Sequence, residues 1–221
     1  MTELCVRELA LVGLEINYSK SNAIRIGNRH KVQLSPIGFD GCHIPWKQEI
    51  TYLGVKILAG TNFNVDQQGM RQKCYAASNG IFYKVRCRCD AALLISLINQ
   101  FCLPVLLYAA EAINWSVKNL NRCHKAQNST FAKIFNTYDT SVINCCKYYM
   151  YVLPIDLQVE LYKLKFYYKL CLMYNTSTFL KECAWNELVI LLDKFNIKDW
   201  CKPQSFKFHI WSYFEKTLFN N

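Results

Sequence analysis

Charged residues are scarce in this chain of 221 residues, where they make up 19% against 52% apolar residues. That composition excludes a disordered or purely solvating protein, because such proteins lack the apolar side chains that a core needs. Low-complexity segments, long linkers and internal repeats are also missing. A chain of this length can bury a sizeable core as one domain or two small ones. We therefore expect a folded protein.

We do not expect the first residues to act as an export signal. The first 14 residues place Glu3, Arg7 and Glu8 among the apolar positions, so no uninterrupted hydrophobic segment forms. A disulfide framework is not expected without export. We expect a cytoplasmic or nuclear protein, not a secreted one, with its twelve cysteines as reduced and mostly buried thiols.

Paired zinc ligands are missing as well. Structural zinc sites usually carry cysteine pairs separated by two to four residues. The close pairs of this chain have other spacings: Cys87/Cys89, Cys123/His124 and Cys145/Cys146. No metal site is predicted from them.

One long uncharged segment tests whether the chain enters a membrane. Twenty uncharged residues lie between Asp90 and Glu111, about the length of a membrane span. Asn99, Gln100 and Pro104 lie in its centre and disfavour insertion. We expect a buried helix that Pro104 kinks or breaks. A membrane-associated helical protein spanning residues 91–110 is the less favoured alternative.

Basic charge is concentrated in the middle of the chain. The net charge is +10 with a pI near 9.0, which favours a polyanionic partner, either nucleic acid or an anionic membrane surface. Residues 137–221 balance ten basic side chains with eight acidic ones, whereas residues 61–136 have only three acids. Nine basic residues stand against those three: Arg71, Lys73, Lys84, Arg86, Arg88, Lys118, Arg122, Lys125 and Lys133.

Hydrophobic periodicity changes twice along the chain. Residues 2–13 have helical spacing, and three short β-prone runs follow at residues 23–26, 31–34 and 50–57, separated by Gly and Pro. After Gly60 the pattern is helical to the end. Helices are predicted from Ser116 as N-cap to about Asn136, from Pro154 to about Tyr174, from Thr178 to about Lys194, and from Pro203 onward. The predicted fold class is α+β, mostly α, with a small antiparallel β-hairpin element followed by a helical bundle.

Five segments carry a likeness to a known family. They are GLEINYSKS at 13–21, IRIG at 24–27, EITYLGVKI at 49–57, the Arg71-x-x-x-Tyr75-Ala-Ala-Ser-Asn-x-Ile81 pattern, and the Cys102-x-Pro-x-Leu-x-Tyr-x-x-Glu-Ala112 pattern. Together, and in this order, they resemble the end of the palm, the primer grip and the thumb of LINE-type (non-LTR) retrotransposon reverse transcriptases. The jockey/CR1-like group is the most similar in character.

The resemblance implies a domain organisation and an activity that the chain does not complete. It implies the end of a palm with its primer-grip hairpin over 1–60, a thumb-like helical region over 61–136, and a C-terminal helical extension over 137–221. In the family, Mg²⁺ is held by carboxylates upstream of the Gly-Leu-x-x-Asn segment, one set on a Tyr-x-Asp-Asp hairpin. Here the seven aspartates are isolated from one another. We therefore expect no cofactor in this chain and no polymerase activity from this chain alone.

Candidate functional residues follow from the resemblance and from helical geometry. The resemblance implies primer contact by Tyr52, Leu53 and Gly54 with the neighbouring Lys56, and an accessory role beside the departing pyrophosphate for Lys20. These residues could equally be ordinary strand residues and a solvated lysine.

Helical geometry brings basic side chains together on one predicted helix. At about 100° per residue, Lys118, Arg122, Lys125 and Lys133 fall within about 80° of one another, and an apolar face lies opposite. We call Lys118, Arg122 and Lys125 the basic ridge, and Lys133 lies on the same face. A ridge of this kind can follow a phosphate backbone, although a solvated helix face is the commoner case. Arg71, Lys73 and Lys84 are further candidates.

These observations predict a reverse transcriptase fragment that binds an RNA/DNA primer–template duplex. An upstream fragment of the same enzyme is a further candidate partner. A domesticated or decayed helical binding protein is the alternative. One sequence does not separate decay, a split gene and domestication.

Overall fold

The computed structural model describes residues 2–39, 41–85, 89–113, 115–174, 176–200 and 202–219. It confirms the predicted fold class, α+β and mostly α. The chain divides into two compact units, Met1–Asp66 and Gln67–Asn221. The further division predicted at residue 136 stays a prediction.

The first unit contains one helix and short strands. Its elements are α1 (Thr2–Leu11), β1 (Ala23–Ile24), β2 (Ile37–Phe39), β3 (Cys42–Ile44), β4 (Trp46–Lys47), β5 (Glu49–Tyr52), β6 (Val55–Leu58) and β7 (Asn64–Val65). Strands β5, β6 and β7 form an antiparallel sheet, and β2 pairs antiparallel with β3. The β1–β4 pair is parallel, which the sequence did not predict.

The prediction of a strand at Lys31–Leu34 is wrong, because this segment is a turn followed by irregular chain. Side chains hold it in that form. The Arg25 guanidinium donates to the carbonyls of Arg29 (2.7 Å) and Val32 (2.9 Å), and the Trp46 indole donates to the carbonyl of Ser35 (2.9 Å). Carbonyls engaged by side chains are not available to a strand ladder.

Little of the first unit is buried. Among its described residues only Val65 is buried, while Leu11 and Val12 expose 76% and 68% of their surface. The described residues of this unit therefore enclose little apolar core.

The second unit is helical. Its elements are α2 (Gln67–Val85), α3 (Ala91–Phe101), α4 (Leu103–Leu106), α5 (Val117–Phe135), α6 (Thr140–Tyr149), α7 (Ile155–Leu172), α8 (Thr178–Lys194), a 3₁₀ turn (Pro203–Ser205) and α9 (Phe206–Phe219). One part of the core lies among α7, α8 and α9, including Leu164, Leu188 and Phe206. A second cluster lies among α2, α3, α4, α5 and α7. A third lies among α3, α5 and α6.

The uncharged segment at 91–110 breaks where Pro104 predicts, since α3 ends at Phe101 and Pro104 lies in the first turn of α4. Its inward side chains are core, with Leu106 1% exposed. No helix within the described residues is both long and apolar enough to cross a membrane.

Local capping signals set the ends of α5. The Ser116 hydroxyl accepts a hydrogen bond from the Asn119 amide (3.3 Å), and Asn136 adopts the left-handed conformation that ends the helix. Both ends agree with the sequence prediction. Helix α6 was missed, although Asp139 caps it by accepting from the Ser141 amide at 2.8 Å.

Residues other than Gly take the left-handed position at the ends of α5, α6 and α8. Asn136 and Asn196, with φ of 50° and 52°, are the residue type that tolerates this conformation best after Gly. After α6 the position is taken by Tyr151, with φ of 55°. Hydrogen bonds from Val152 to the Lys147 carbonyl and from Tyr151 to the Tyr148 carbonyl form a Schellman motif, in which Gly is the usual residue.

Gln127 joins two elements inside the core. Its amide nitrogen donates to the Leu153 carbonyl (3.0 Å) and its amide oxygen accepts from the Ile155 amide (3.1 Å), so α5 fixes the start of α7. Gln127 is 3% exposed.

Replacing Gln127 with Leu should lower the free energy of unfolding by about 2 kcal/mol, because the buried Ile155 amide then lacks an acceptor. The Leu153 carbonyl keeps a second donor, Gln158. Urea unfolding followed by circular dichroism measures the change. The exposed Gln72 provides the control, since Gln72→Leu should be neutral within about 0.5 kcal/mol. Equal effects of the two substitutions would contradict the role assigned to Gln127.

Lys147 is fully buried. Its ammonium donates a hydrogen bond to the Asn128 side-chain oxygen (2.5 Å) and lies 5.7 Å from the centre of the Phe131 ring. Burial lowers its pKa from 10.5 to about 8, and the nearby Asp156 charge opposes that shift. In the pH range between these values the unfolded chain holds a proton that the native protein has lost. Stability from this group therefore rises with pH through this window.

We compare the free energy of unfolding of the native sequence with that of the Lys147→Met variant. The native value minus the variant value should rise by about 2 kcal/mol between pH 8 and 10.5. Chemical unfolding of both proteins across this range measures the difference. Comparison with the variant cancels the buried thiols, whose raised pKa values act in the opposite direction. A constant difference across the window would show that Lys147 does not titrate there.

Candidate nucleic-acid interface

Helix α5 separates its basic residues from its core residues. The side chains of Lys118, Arg122 and Lys125 are exposed, while Cys123 and Phe131 on the opposite face are each 1% exposed. Asn121 and Val117 complete the shallow depression that these three residues line. Among the described residues, no ion pair involves the basic ridge.

No carboxylate neutralises the basic ridge, for two reasons. Residues 112–138 include no Asp or Glu. On the flank of α5, the His124 imidazole pairs with Asp156 of α7 at 3.2 Å. Burial acts to raise the pKa of Asp156, but hydrogen bonding and charge from His124 outweigh it and lower that pKa. The ridge therefore presents positive charge without a compensating carboxylate.

Lys133 does not extend the ridge as a free cation. Its ammonium donates to the Asn79 side-chain oxygen (2.8 Å) and lies 5.6 Å from the centre of the Phe82 ring, both on α2. The helical wheel placed Lys133 on the basic face correctly, but it takes no account of a neighbouring helix. Lys133 links α5 to α2.

The basic residues of α2 divide into two kinds. Lys73 and Lys84 are exposed. Arg71 is half-buried, with one guanidinium nitrogen shielded from solvent, and its charge opposes the rise that burial causes in the pKa of the Cys123 thiol. Arg71 therefore faces the core between α2 and α5 and does not offer a phosphate its full donor set. Arg86 and Arg88 lie outside the described residues.

The predicted primer-grip segment is a two-residue β-hairpin. Tyr52 of β5 pairs with Val55 of β6, and Leu53 and Gly54 form the turn with φ of 47° and 79°. Two positive φ values are the requirement of a type I′ turn, which explains Gly54 without a ligand. Leu53 is the unexpected residue, because a Cβ-bearing side chain is strained there.

The hairpin tip is apolar and exposed. Tyr52 and Leu53 expose 64% and 74% of their surface, so neither side chain is packed in a core. Lys56 pairs across the strands with Glu49 at 2.7 Å, and this hydrogen bond raises its pKa. A lysine held by a carboxylate is a weaker phosphate ligand than a free one.

Hydrogen bonds to Asn17 give the Gly-Leu-x-x-Asn-x-x-Lys-Ser segment its form. The Asn17 side-chain oxygen accepts from the Ser19 hydroxyl (2.7 Å) and from the Lys20 amide (3.2 Å). The Ser21 hydroxyl donates to the Asn17 carbonyl (2.8 Å). This turn leaves the side chain of Lys20 exposed. Asn17 is the positioning residue of the segment.

His, Cys, Asp and Glu are the side chains that most often hold a metal ion. No group of three or more of these residues within the described ranges could hold a metal ion. The thiols of Cys74, Cys102 and Cys123 are buried. Burial is the larger cause that raises the pKa of Cys74 to about 12, and the neighbouring Cys102 and Cys123 add to the increase. Thiols protonated in this way are poor metal ligands and poor nucleophiles.

Comparison with protein-family models, curated proteins and solved structures finds no match to this chain. The reverse transcriptase identity therefore stays a hypothesis that depends on the five segments.

An aromatic surface was missed by reasoning from sequence. Tyr148, Tyr149 and Tyr151, at the end of α6, line a cavity together with Phe208, Trp211 and Glu215 of α9. The i, i+3, i+7 spacing of the α9 residues was the available signal, but the missed α6 is what completes the cavity.

Replacing Leu53 with Asn should stabilise the hairpin by about 1 kcal/mol, because Asn-Gly is the preferred type I′ pair. Amide hydrogen exchange of β5 and β6 should slow about fivefold. Gly54→Ala should have the opposite effect, since a Cβ is strained at φ of 79°. Faster exchange in Leu53→Asn would show that Leu53 supports the turn through a contact of its own.

Proposed function

We propose that this chain is a reverse transcriptase fragment of the LINE type that binds the sugar-phosphate backbone of an RNA/DNA primer–template duplex. The unopposed basic ridge of α5 is the observation that carries the proposal. Lys118 and Arg122, and Arg122 and Lys125, are four and three residues apart, so the three charges follow one helix face over about two turns.

The chemistry of the ridge suits a duplex backbone. Neutralising phosphates releases condensed counterions, which gives affinity without sequence preference. Arg122 can engage one phosphate with two donors, whereas the lysines act as point charges. Lys73 and Lys84 are exposed cations that can add to the same attraction.

Catalysis is not part of this proposal. The family uses carboxylate-bound Mg²⁺, and the described residues do not fit that ion, because they bring no suitable group of carboxylates together. The chain would contribute binding to a polymerase whose carboxylates lie on another polypeptide or on an upstream fragment. In such an assembly the exposed tip at Tyr52 and Leu53 would contact the primer end, and Lys20 would lie in the palm.

Charge reversal of the ridge tests the proposal. The triple variant Lys118→Glu, Arg122→Glu, Lys125→Glu should bind an RNA/DNA duplex at least about a hundredfold more weakly, because three favourable phosphate contacts become repulsive. The slope of log affinity against log salt should fall by about 2 to 3. Fluorescence anisotropy with a labelled heteroduplex, at several salt concentrations, measures both quantities.

A variant with the same net charge provides the control. Lys165→Glu, Lys169→Glu, Lys198→Glu changes three exposed lysines on other parts of the second unit. If both triple variants lose affinity equally, binding follows net charge and the ridge has no special role. A primer-extension assay tests the fragment interpretation separately. Template-dependent synthesis by this chain alone would contradict that interpretation without bearing on duplex binding by the basic ridge.

A further inference from the structure

The aromatic cavity between α6 and α9 has the form of a cage. Its volume is about 290 Å³, and it is lined by Tyr148, Tyr149, Tyr151, Phe208, Trp211 and Glu215. We call it the aromatic cage. Five aromatic side chains and one carboxylate make up this lining.

The rings of the cage meet at steep angles. The ring centres of Tyr148 and Tyr149 are 5.4 Å apart, and their ring planes meet at 81°. The same two quantities are 5.8 Å and 69° for Tyr148 and Trp211, and 5.9 Å and 67° for Tyr151 and Trp211. Such an arrangement turns ring faces in several directions. Ring faces carry the negative part of the aromatic quadrupole, which attracts cations.

A carboxylate adds full negative charge to the same cavity. The Tyr148 hydroxyl donates to Glu215 at 2.7 Å, and this hydrogen bond is the largest cause of a raised Tyr148 pKa. Phosphate groups would be repelled here, so the cage differs in kind from the basic ridge. The cation–ring contacts among the described residues all involve other rings, so no cation of that part of the chain fills the cage.

Three rings of the cage are exposed to solvent. Tyr151 holds a left-handed conformation where Gly is usual, and its side chain is 79% exposed. Phe208 and Tyr149 are also exposed, at 72% and 69%. The left-handed conformation of Tyr151 forms the Schellman motif that ends α6, so the exposed rings, and not the backbone, are the feature that a ligand would explain.

The geometry points to a binding site for a methylated ammonium group, held by the faces of the Tyr148, Tyr151 and Trp211 rings and neutralised by Glu215. Two sources share this chemistry: a small cation such as choline, and a trimethylated lysine side chain of a protein. A quaternary ammonium suits the cage because it is large, weakly hydrated and unable to donate hydrogen bonds.

Choline and its neutral isostere 3,3-dimethylbutan-1-ol separate charge recognition from simple apolar burial. Ligand-observed NMR with the full chain should show saturable choline binding, about tenfold tighter than binding of the isostere. Equal affinities of the two ligands, or no saturable choline binding, would overturn the assignment.

Tyr151→Gly separates binding from folding. Glycine relieves the left-handed backbone, so the midpoint of thermal unfolding should rise, while choline affinity falls about tenfold with the loss of one ring. Unchanged choline affinity would overturn the proposal. Tyr138→Ala is the matched control, because Tyr138 is 91% exposed and outside the cage.

Glu215→Gln tests the carboxylate without moving the cage wall. The glutamine oxygen can still accept from the Tyr148 hydroxyl, so only the charge is lost and choline affinity should fall severalfold. This variant also decides the question if Tyr151→Gly unexpectedly lowers the unfolding midpoint. Retention of full choline affinity in Glu215→Gln would overturn the role of charge.

Two peptides identify the source of the ammonium group. A peptide with trimethyllysine that binds more tightly than choline, and more tightly than its unmodified form, assigns a modified protein segment; equal affinity for peptide and choline assigns a small cation. Both results support the shared chemistry. If a single-stranded RNA oligonucleotide binds through Tyr151 while choline does not bind, the cage stacks bases and the proposal is wrong.

Discussion

Helix α5 has to bury one face and hydrate the other, and most of the second unit depends on that division. Cys123 and Phe131 enter two different core clusters, and Gln127 satisfies backbone groups at the start of α7. Because the buried face has partners on several helices, α5 cannot rotate about its axis without leaving polar groups unpaired. The orientation of the basic ridge is therefore set by the core and not by the ridge itself.

Local signals in the sequence were sufficient where one residue decides an element's end. Ser116 and Asn136 bound α5, and Pro104 separates α3 from α4, because a cap or a missing amide acts within one turn. Lys31–Leu34 failed for the opposite reason. Its alternation is that of a strand, but Arg25 occupies the Val32 carbonyl and Trp46 occupies the adjacent Ser35 carbonyl, and the proximity of these donors is a tertiary fact.

The candidate site shows the same limit. Helical geometry placed Lys118, Arg122 and Lys125 on one exposed face, since that inference needs only the helix and its apolar side. It could not show that Lys133 is engaged by α2 or that Arg71 faces the core, because both outcomes depend on how α2 packs against α5. Long basic side chains reach across interfaces, so their availability to a ligand is decided by neighbouring elements.

Two residues, Leu53 and Tyr151, hold conformations that Gly or Asn adopts more easily, and both present apolar surface to solvent. Stability alone would favour replacing each, and in both cases the replacement removes the exposed side chain. Strain of this kind is concentrated at functional sites, but the left-handed Tyr151 also forms the Schellman motif that ends α6, so the exposed side chains are the feature that a partner would explain. The two tips differ in their electrostatic surroundings: Leu53 lies near basic Lys56, which Glu49 neutralises, whereas Tyr151 borders the carboxylate of Glu215. They would therefore accept chemically different partners, and the cage need not serve the nucleic acid that the ridge binds.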